Sequence, residues 1–204
     1  YVFYFVLIYL VLKQNDIPFD MAKIVITMPY FNRQYQLDKT LTTLAQSAHK
    51  DLVVVIADDN SPVPPVLHDM GFEIDYFKVG KKTWTNYAPV HNMAFQRAMR
   101  HKPDIIMIQS PECYHVGDVL SHAAEHLTGE NYIAYACFHL NKETTLREHD
   151  IEELSKTDVV ISTNGNDNGW WNHSTKYYQP QYWCAAITPE NLIKVNGIDE
   201  RFAD

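Results

Sequence analysis

Residues Lys23–Ser61 read KIVITMPYFNRQYQLDKTLTTLAQSAHKDLVVVIADDNS, and this stretch decides the fold. Lys23–Met28 is a short β-branched run that stops at Pro29, the pattern of a buried strand. Leu37, Leu41, Leu44, Ala45 and Ala48 then recur at helical spacing, giving one apolar stripe to lay on a sheet. Leu52–Ala57 is a second, almost continuous apolar run, as strands covered on both faces are. Asp58-Asp59-Asn60-Ser61-Pro62 closes it with turn chemistry.

The alternation continues outward. The spacing predicts a short helix over Pro64–Met70 and a strand over Glu73–Val79. Asn86 can cap a helix carrying Val90, Met93, Ala94, Ala98 and Met99 on its inner side. Asp104–Gln109 reads as a strand. Val116, Val119, Leu120, Ala123 and Leu127 read as a helical stripe, and Asn131–Phe138 as another strand. Residues Asn141–Pro180 are polar, with weak periodicity and many Asn, His, Trp and Tyr, the composition of a functional loop or lid. Tyr182–Thr188 returns to strand-like sequence, and Pro189–Val195 to a short helix. Repeated β and α elements predict an α/β domain with a mainly parallel, doubly wound central sheet flanked by helices. Ligands of such sheets bind beyond the carboxyl ends of the strands, where Pro29, Asp58, Asp59 and Glu112 fall.

The chain of 204 residues suits one domain, expected over residues 21–204. The net charge of −8, from 17 basic and 25 acidic residues, offers no basic stripe and argues against a nucleic-acid partner. It leaves room for an anionic ligand held locally by an ion or by backbone amides. Cys113, Cys137 and Cys184 are far apart and form no CxxC pair, which points to buried thiols in a reducing, cytoplasmic setting. Tyr1–Leu12 is wholly apolar or aromatic within an N-terminal extension over residues 1–20. Spanning a bilayer takes about 20 apolar residues, so the run is too short alone. It reads as the tail of a membrane helix, as an extra strand or helix packed on the domain, or as sequence upstream of a natural start at Met21. Association with a membrane surface is therefore an open expectation.

Three groups can carry chemistry. Asp58 and Asp59 can bind ribose hydroxyls, a base N–H or a metal, or can form a turn and cap a helix. Glu112 follows a buried strand in Gln109-Ser110-Pro111-Glu112-Cys113-Tyr114-His115, and a carboxylate beside a histidine suits Mn²⁺ or Mg²⁺. Trp170 and Trp171 can stack on sugar faces or anchor their loop, and His173 can add a metal ligand. GxSxG, Walker A and GxGxxG motifs do not occur, which argues against an α/β hydrolase, a P-loop NTPase and a dinucleotide dehydrogenase.

Taken in order, these segments resemble the family 2 glycosyltransferases with the GT-A fold. Pro29-Tyr30-Phe31-Asn32-Arg33 and Asp58-Asp59-Asn60-Ser61 match that family's opening, Thr85–Ala98 with Asn92 its next block, and Gly197-Ile198-Asp199-Glu200-Arg201-Phe202 a later one. The resemblance implies a hexosyltransferase-like enzyme moving a sugar from a nucleotide-diphosphate sugar to an acceptor hydroxyl, with inversion and metal assistance. The acceptor class, whether glycan, lipid-linked or protein, is left open. The resemblance assigns Pro29, Tyr30, Asn32, Arg33, Asp58, Asp59, Asn86 and Asn92 to the donor, with Asp59 on the base. It places the family's Asp-x-Asp metal motif at Ser110-Pro111-Glu112, where only the last carboxylate is kept. The catalytic base is expected just beyond Asp204, so no catalytic residue is assigned within the chain, and Asp199 and Glu200 are expected to brace their loop. The lost first carboxylate also suits a non-catalytic nucleotide- or sugar-binding module. A nucleotidyltransferase would share the architecture but wants a Gly-rich phosphate loop after the first strand, and none is present.

Overall fold

A computed structural model describes residues 4–8, 22–80, 82, 84–145, 168–173 and 183–202. In chain order its strands are β1 (Tyr4–Ile8), β2 (Ile24–Tyr30), β3 (Leu52–Asp58), β4 (Glu73–Lys78), β5 (Ile105–Gln109), β6 (Cys113–Val116), β7 (Ile133–Ala134), β8 (Ala136–Leu140), β9 (Gly169–Asn172) and β10 (Cys184–Ile187). The helices are α1 (Gln34–Ala45), α2 (Ala88–Ala98), α3 (Val119–His126), α4 (Lys142–Thr145) and α5 (Pro189–Lys194).

Six strands form the central sheet in the order β4-β3-β2-β5-β10-β7. The four from β4 to β5 run parallel, and β10 enters antiparallel between β5 and β7. The expected mainly parallel α/β sheet is the one observed. Its inner strands bury both faces because successive side chains point to opposite sides. Ile24, Ile26, Met28, Val54 and Ile56 meet Leu37, Leu41 and Leu44 of α1 and Leu120 of α3 on one side. Val25, Val53, Val55 and Ala57 meet Val90, Ala94 and Ala98 of α2 on the other. A second sheet has the order β6-β1-β8-β9. There β1 lies parallel to β6 and antiparallel to β8.

The structure departs from the sequence reading at four places. Residues 64–70 are not helical, because two prolines open the segment and Gln34 pins Val66 by bonds to its N–H and C=O. Val116 ends strand β6 and is not part of the α3 stripe. The run 131–138 is broken at Tyr135 into β7 and β8, which join different sheets. Strand β10 covers Cys184–Ile187 and runs against its neighbours. The part of the polar 141–180 segment that includes residues 146–167 and 174–180 lies outside the described residues. All three cysteines are free and buried. Burial pushes the Cys137 and Cys184 thiols well up, so they stay protonated. Among the described residues no helix is long and apolar enough to cross a membrane.

The outer strand β4 is fastened to α2 by charge. Arg97 donates from Nε and Nη2 to the two Asp75 oxygens at 2.7 and 2.8 Å, and His101 Nε2 lies 2.7 Å from Oδ2. The Arg97 hydrogen bonds, and then those of His101, hold the Asp75 carboxyl below its ordinary value of 3.8 against the cost of burial. A carboxyl lowered in the folded state stabilises the fold above its unfolded value and loses that contribution as pH falls through the folded one. Asp75→Asn should therefore lower the thermal midpoint at pH 7, and the gap to the parent should close as pH is taken below 3.8. Parallel melting curves across pH check it; a gap that stays constant contradicts it.

Candidate functional site

The register of β2 and β3 sets the site. Tyr30 pairs with Asp58 at the carboxyl ends, and the Asp59 N–H then donates to the Tyr30 carbonyl at 2.8 Å. Asp58 is fully buried. Its Oδ1 accepts the Ser61 N–H at 2.7 Å and its Oδ2 accepts the Tyr76 hydroxyl at 2.8 Å. Burial first, and then the Asp58 carboxylate, push the Tyr76 phenol up to about 12, so it remains a donor. Ser61 Oγ in turn accepts the Asn32 N–H at 3.0 Å. Asn32 and Asn60 take positive φ, 49° and 69°, a region that asparagine tolerates better than most side chains. The two strand-end turns are thus locked to each other.

Asp59 is placed differently. It is 8% exposed, and Oδ2 accepts Lys82 Nζ at 2.6 Å. Its Oδ1 is buried and has no hydrogen-bond partner among the described residues. A buried acceptor left in that state costs about 1–3 kcal/mol or more. Tyr30 lies beside it at the strand end, its phenol raised mainly by burial. Phe31 is half exposed, with the Lys82 ammonium 6.0 Å from its ring centre.

Glu112 lies in the turn between β5 and β6. The turn is fixed from below: Ser110 N–H donates to the Trp183 carbonyl, Thr40 Oγ1 to the Pro111 carbonyl, and Gln109 Nε2 to the Cys113 carbonyl. Glu112 Oε1 accepts Arg33 Nε at 3.1 Å. Burial raises the Glu112 carboxyl, opposed by the Arg33 charge. Arg33 stands one residue before α1, so this pair joins the Pro29–Arg33 segment to the Ser110–Glu112 segment. Both segments were expected to share one edge, and the structure joins them.

The metal expectation meets a poor donor set. His115 does not stand beside Glu112 as a ligand. It is buried, its Nε2 lies 3.0 Å from Gln109 Oε1, and burial pushes it down to about 4. His173 packs edge-on against Trp170 at 4.7 Å. Among the described residues no three His, Cys, Asp or Glu side chains cluster so as to hold a metal ion. The described residues do not fit a resident Mn²⁺ or Mg²⁺ cage, since the one carboxylate of the motif is already paired with a cation.

Other expected site residues brace the fold. Trp170 is 5% exposed and meets Phe138 edge-on at 5.3 Å, so it is a core anchor with no face to offer a sugar. Trp171 is half-buried, its ring 6.4 Å from that of His139. Asn86 is not the helix cap, which is Tyr87; its Oδ1 accepts the Ala88 N–H at 2.9 Å in a turn just ahead of α2. Asn92 holds both the N–H and the C=O of Ile198 and also donates to Glu200 Oε1. It fastens the Gly197 segment to α2, where Asp199 is paired with Arg201, so the bracing expected there is the arrangement found. Sequence reasoning missed Lys82, Tyr76 and the Arg33–Glu112 pair. Lys82 had a signal, a basic pair just past the strand next to Asp59. A cleft of about 810 Å³ lies between α2 and residues 192–201. It is lined by neither Asp59 nor Glu112, and the unsatisfied chemistry, not the volume, marks the site.

No protein-family model matches the sequence, and no curated protein matches it. Solved structures do. The mannosyltransferase PcManGT from Pyrobaculum calidifontis, solved with GDP-Man and Mn²⁺, aligns over 87% of this chain at 12% identity with a TM-score of 0.50. S. aureus TarS aligns over 50% of this chain, at 16% identity and a TM-score of 0.42 for its residues 1–349, and at 19% and 0.39 for a second TarS structure. The chain spans 48% of the mannosyltransferase chain and 31% and 19% of the two TarS chains. The mannosyltransferase comparison, at 12% identity, shows a shared fold.

The two adjacent aspartates should separate on substitution. Asp58→Ala removes acceptors for a buried amide and hydroxyl and should destabilise the protein by about 1–3 kcal/mol in urea unfolding. Asp59→Asn should leave stability within about 1 kcal/mol of the parent. Equal losses at both positions would contradict the division of roles.

Proposed function

We propose that this chain binds the nucleotide of a nucleotide-diphosphate sugar across the carboxyl ends of β2 and β3, and transfers the sugar to an acceptor hydroxyl. One observation carries the reading: Asp59 Oδ1 is a buried, charged acceptor without a partner among the described residues, at the strand-end edge where α/β sheets bind ligands. The glycosyltransferase fold and the motif order support it.

In this reading Asp59 Oδ1 accepts an N–H from the base edge, while Lys82 holds Oδ2 and fixes the carboxylate's rotation. Pro29 and Tyr30 form the wall beside it, and Asn32, locked to Ser61, sets the path of the chain toward Arg33. Asp58 acts through the turn and touches no ligand. Transfer proceeds by a single displacement with inversion at the anomeric carbon. The diphosphate leaves with its charge balanced by positioned donors, and a carboxylate base takes the acceptor proton. The reading as a binding module that does not transfer sugar rests on Ser110 in place of the motif's first carboxylate. The free, buried thiols suit a reducing compartment.

An acceptor oxygen selects its base. Uracil N3–H and guanine N1–H present a ring donor on the Watson–Crick edge, whereas adenine and cytosine present there only an exocyclic amino donor beside a ring acceptor, N1 or N3, that the carboxylate would repel. UDP or GDP should therefore raise the melting temperature of the protein more than ADP or CDP does at the same concentration. Asp59→Asn should weaken the favoured nucleotide by about 10- to 100-fold, the loss of a charged hydrogen bond. Equal shifts from all four nucleotides would sink the base-reading role. Release of nucleoside diphosphate with sugar appearing on an added acceptor separates the transferase from the binding module.

A further inference from the structure

The turn at Glu112 follows β5, at the strand-end edge where the nucleotide is proposed to bind, and its charges are already matched. Glu112 Oε1 holds Arg33 Nε at 3.1 Å. The other ligand-type side chains nearby face inward. Gln109 donates to the Cys113 carbonyl, and His115 lies against Gln109 and 3.8 Å from Cys184 Sγ. Ser110 and Pro111 supply no carboxylate. A divalent cation at Glu112 would sit alongside the guanidinium, and the like charges would repel. Arg33 keeps unused donor capacity. Its Nε serves Glu112 and its Nη1 reaches the Asn32 carbonyl at 3.3 Å, while Nη2 makes no hydrogen bond to a described residue. A guanidinium presents a planar fork that matches phosphate oxygens, and Arg33 is anchored at its base and about one-third exposed at its side chain.

We infer that Arg33, positioned by Glu112, is the cation that meets the donor's diphosphate, and that nucleotide binding here needs no divalent metal. The inference rests on the nucleotide-binding reading above and deepens it. Glu112 is then a positioning residue: it aims the guanidinium and touches no phosphate. The same pairing explains how a carboxylate can stand within reach of an anionic ligand without repelling it.

Calorimetric titration of the full-length protein tests this, with UDP, GDP, uridine and guanosine as probes, each in EDTA and in millimolar Mn²⁺. The favoured diphosphate should bind with affinities within about threefold in the two buffers. Arg33→Gln should weaken the diphosphate by about tenfold or more in EDTA and leave the matching nucleoside unchanged, since the lost contact is to phosphate. Arg33→Lys should recover part of the loss, and Glu112→Gln should weaken the diphosphate less than Arg33→Gln. Thermal unfolding of each variant confirms the fold, and the comparison of buffers needs no variant at all. Nucleoside binding in both buffers with diphosphate binding only in Mn²⁺ would overturn the inference and leave the nucleotide reading standing. Binding of neither nucleoside nor diphosphate in either buffer would overturn both.

Discussion

The buried carboxylate of Asp58 is the constraint on which the site depends. A charge with no exposure is tolerated only when both oxygens are hydrogen-bonded, and Ser61 and Tyr76 supply those bonds. The bonds tie the end of β3 to its own turn and to the neighbouring strand β4. Through Ser61 Oγ the same turn holds Asn32, after β2. Three chain segments are thereby fixed at one corner of the sheet. The next residue, Asp59, inherits a fixed direction, and its Oδ1 is the atom the arrangement leaves unsatisfied. A rigid neighbour is what gives the buried Asp59 carboxylate a fixed direction.

Charge at this edge is arranged in pairs. Lys82 meets Asp59 at 2.6 Å and Arg33 meets Glu112 at 3.1 Å. An acidic chain with net charge −8 thus offers a locally balanced surface to an anionic ligand. The pairing also explains why whole-chain charge says little about small-molecule binding: screening confines the interaction to charges within about 10 Å. The Asp75–Arg97–His101 group uses the same kind of bond on β4 and α2 for a structural end.

Much of the central sheet was legible in KIVITM and LVVVIA, because strands buried on both faces must be apolar at nearly every position. The helices α1 and α2 announced themselves by spacing. The second sheet did not. Strand β6, with Cys113 and His115 buried and Tyr114 and Val116 partly so, is short and of mixed composition, and its partner β1 is distant in sequence. The antiparallel entry of β10 left no local mark, since strand direction is set by the tertiary path. At the site, the aspartate pair and Glu112 were legible as positions after strands. Their roles were not, because they depend on partners far away in sequence: Arg33 is 79 residues from Glu112, and Lys82 is 23 from Asp59. Trp170 shows the same limit from the other side. Its residue type suits a sugar platform, while its burial against Phe138 makes it core.

The central claim is that Asp59 Oδ1 reads a base. A crystal structure of the protein with UDP or GDP tests it most directly. The account predicts a base N–H donor within about 2.7–3.2 Å of Oδ1, with Lys82 still on Oδ2. A bound nucleotide whose base lies elsewhere, leaving Oδ1 unpaired, would contradict it.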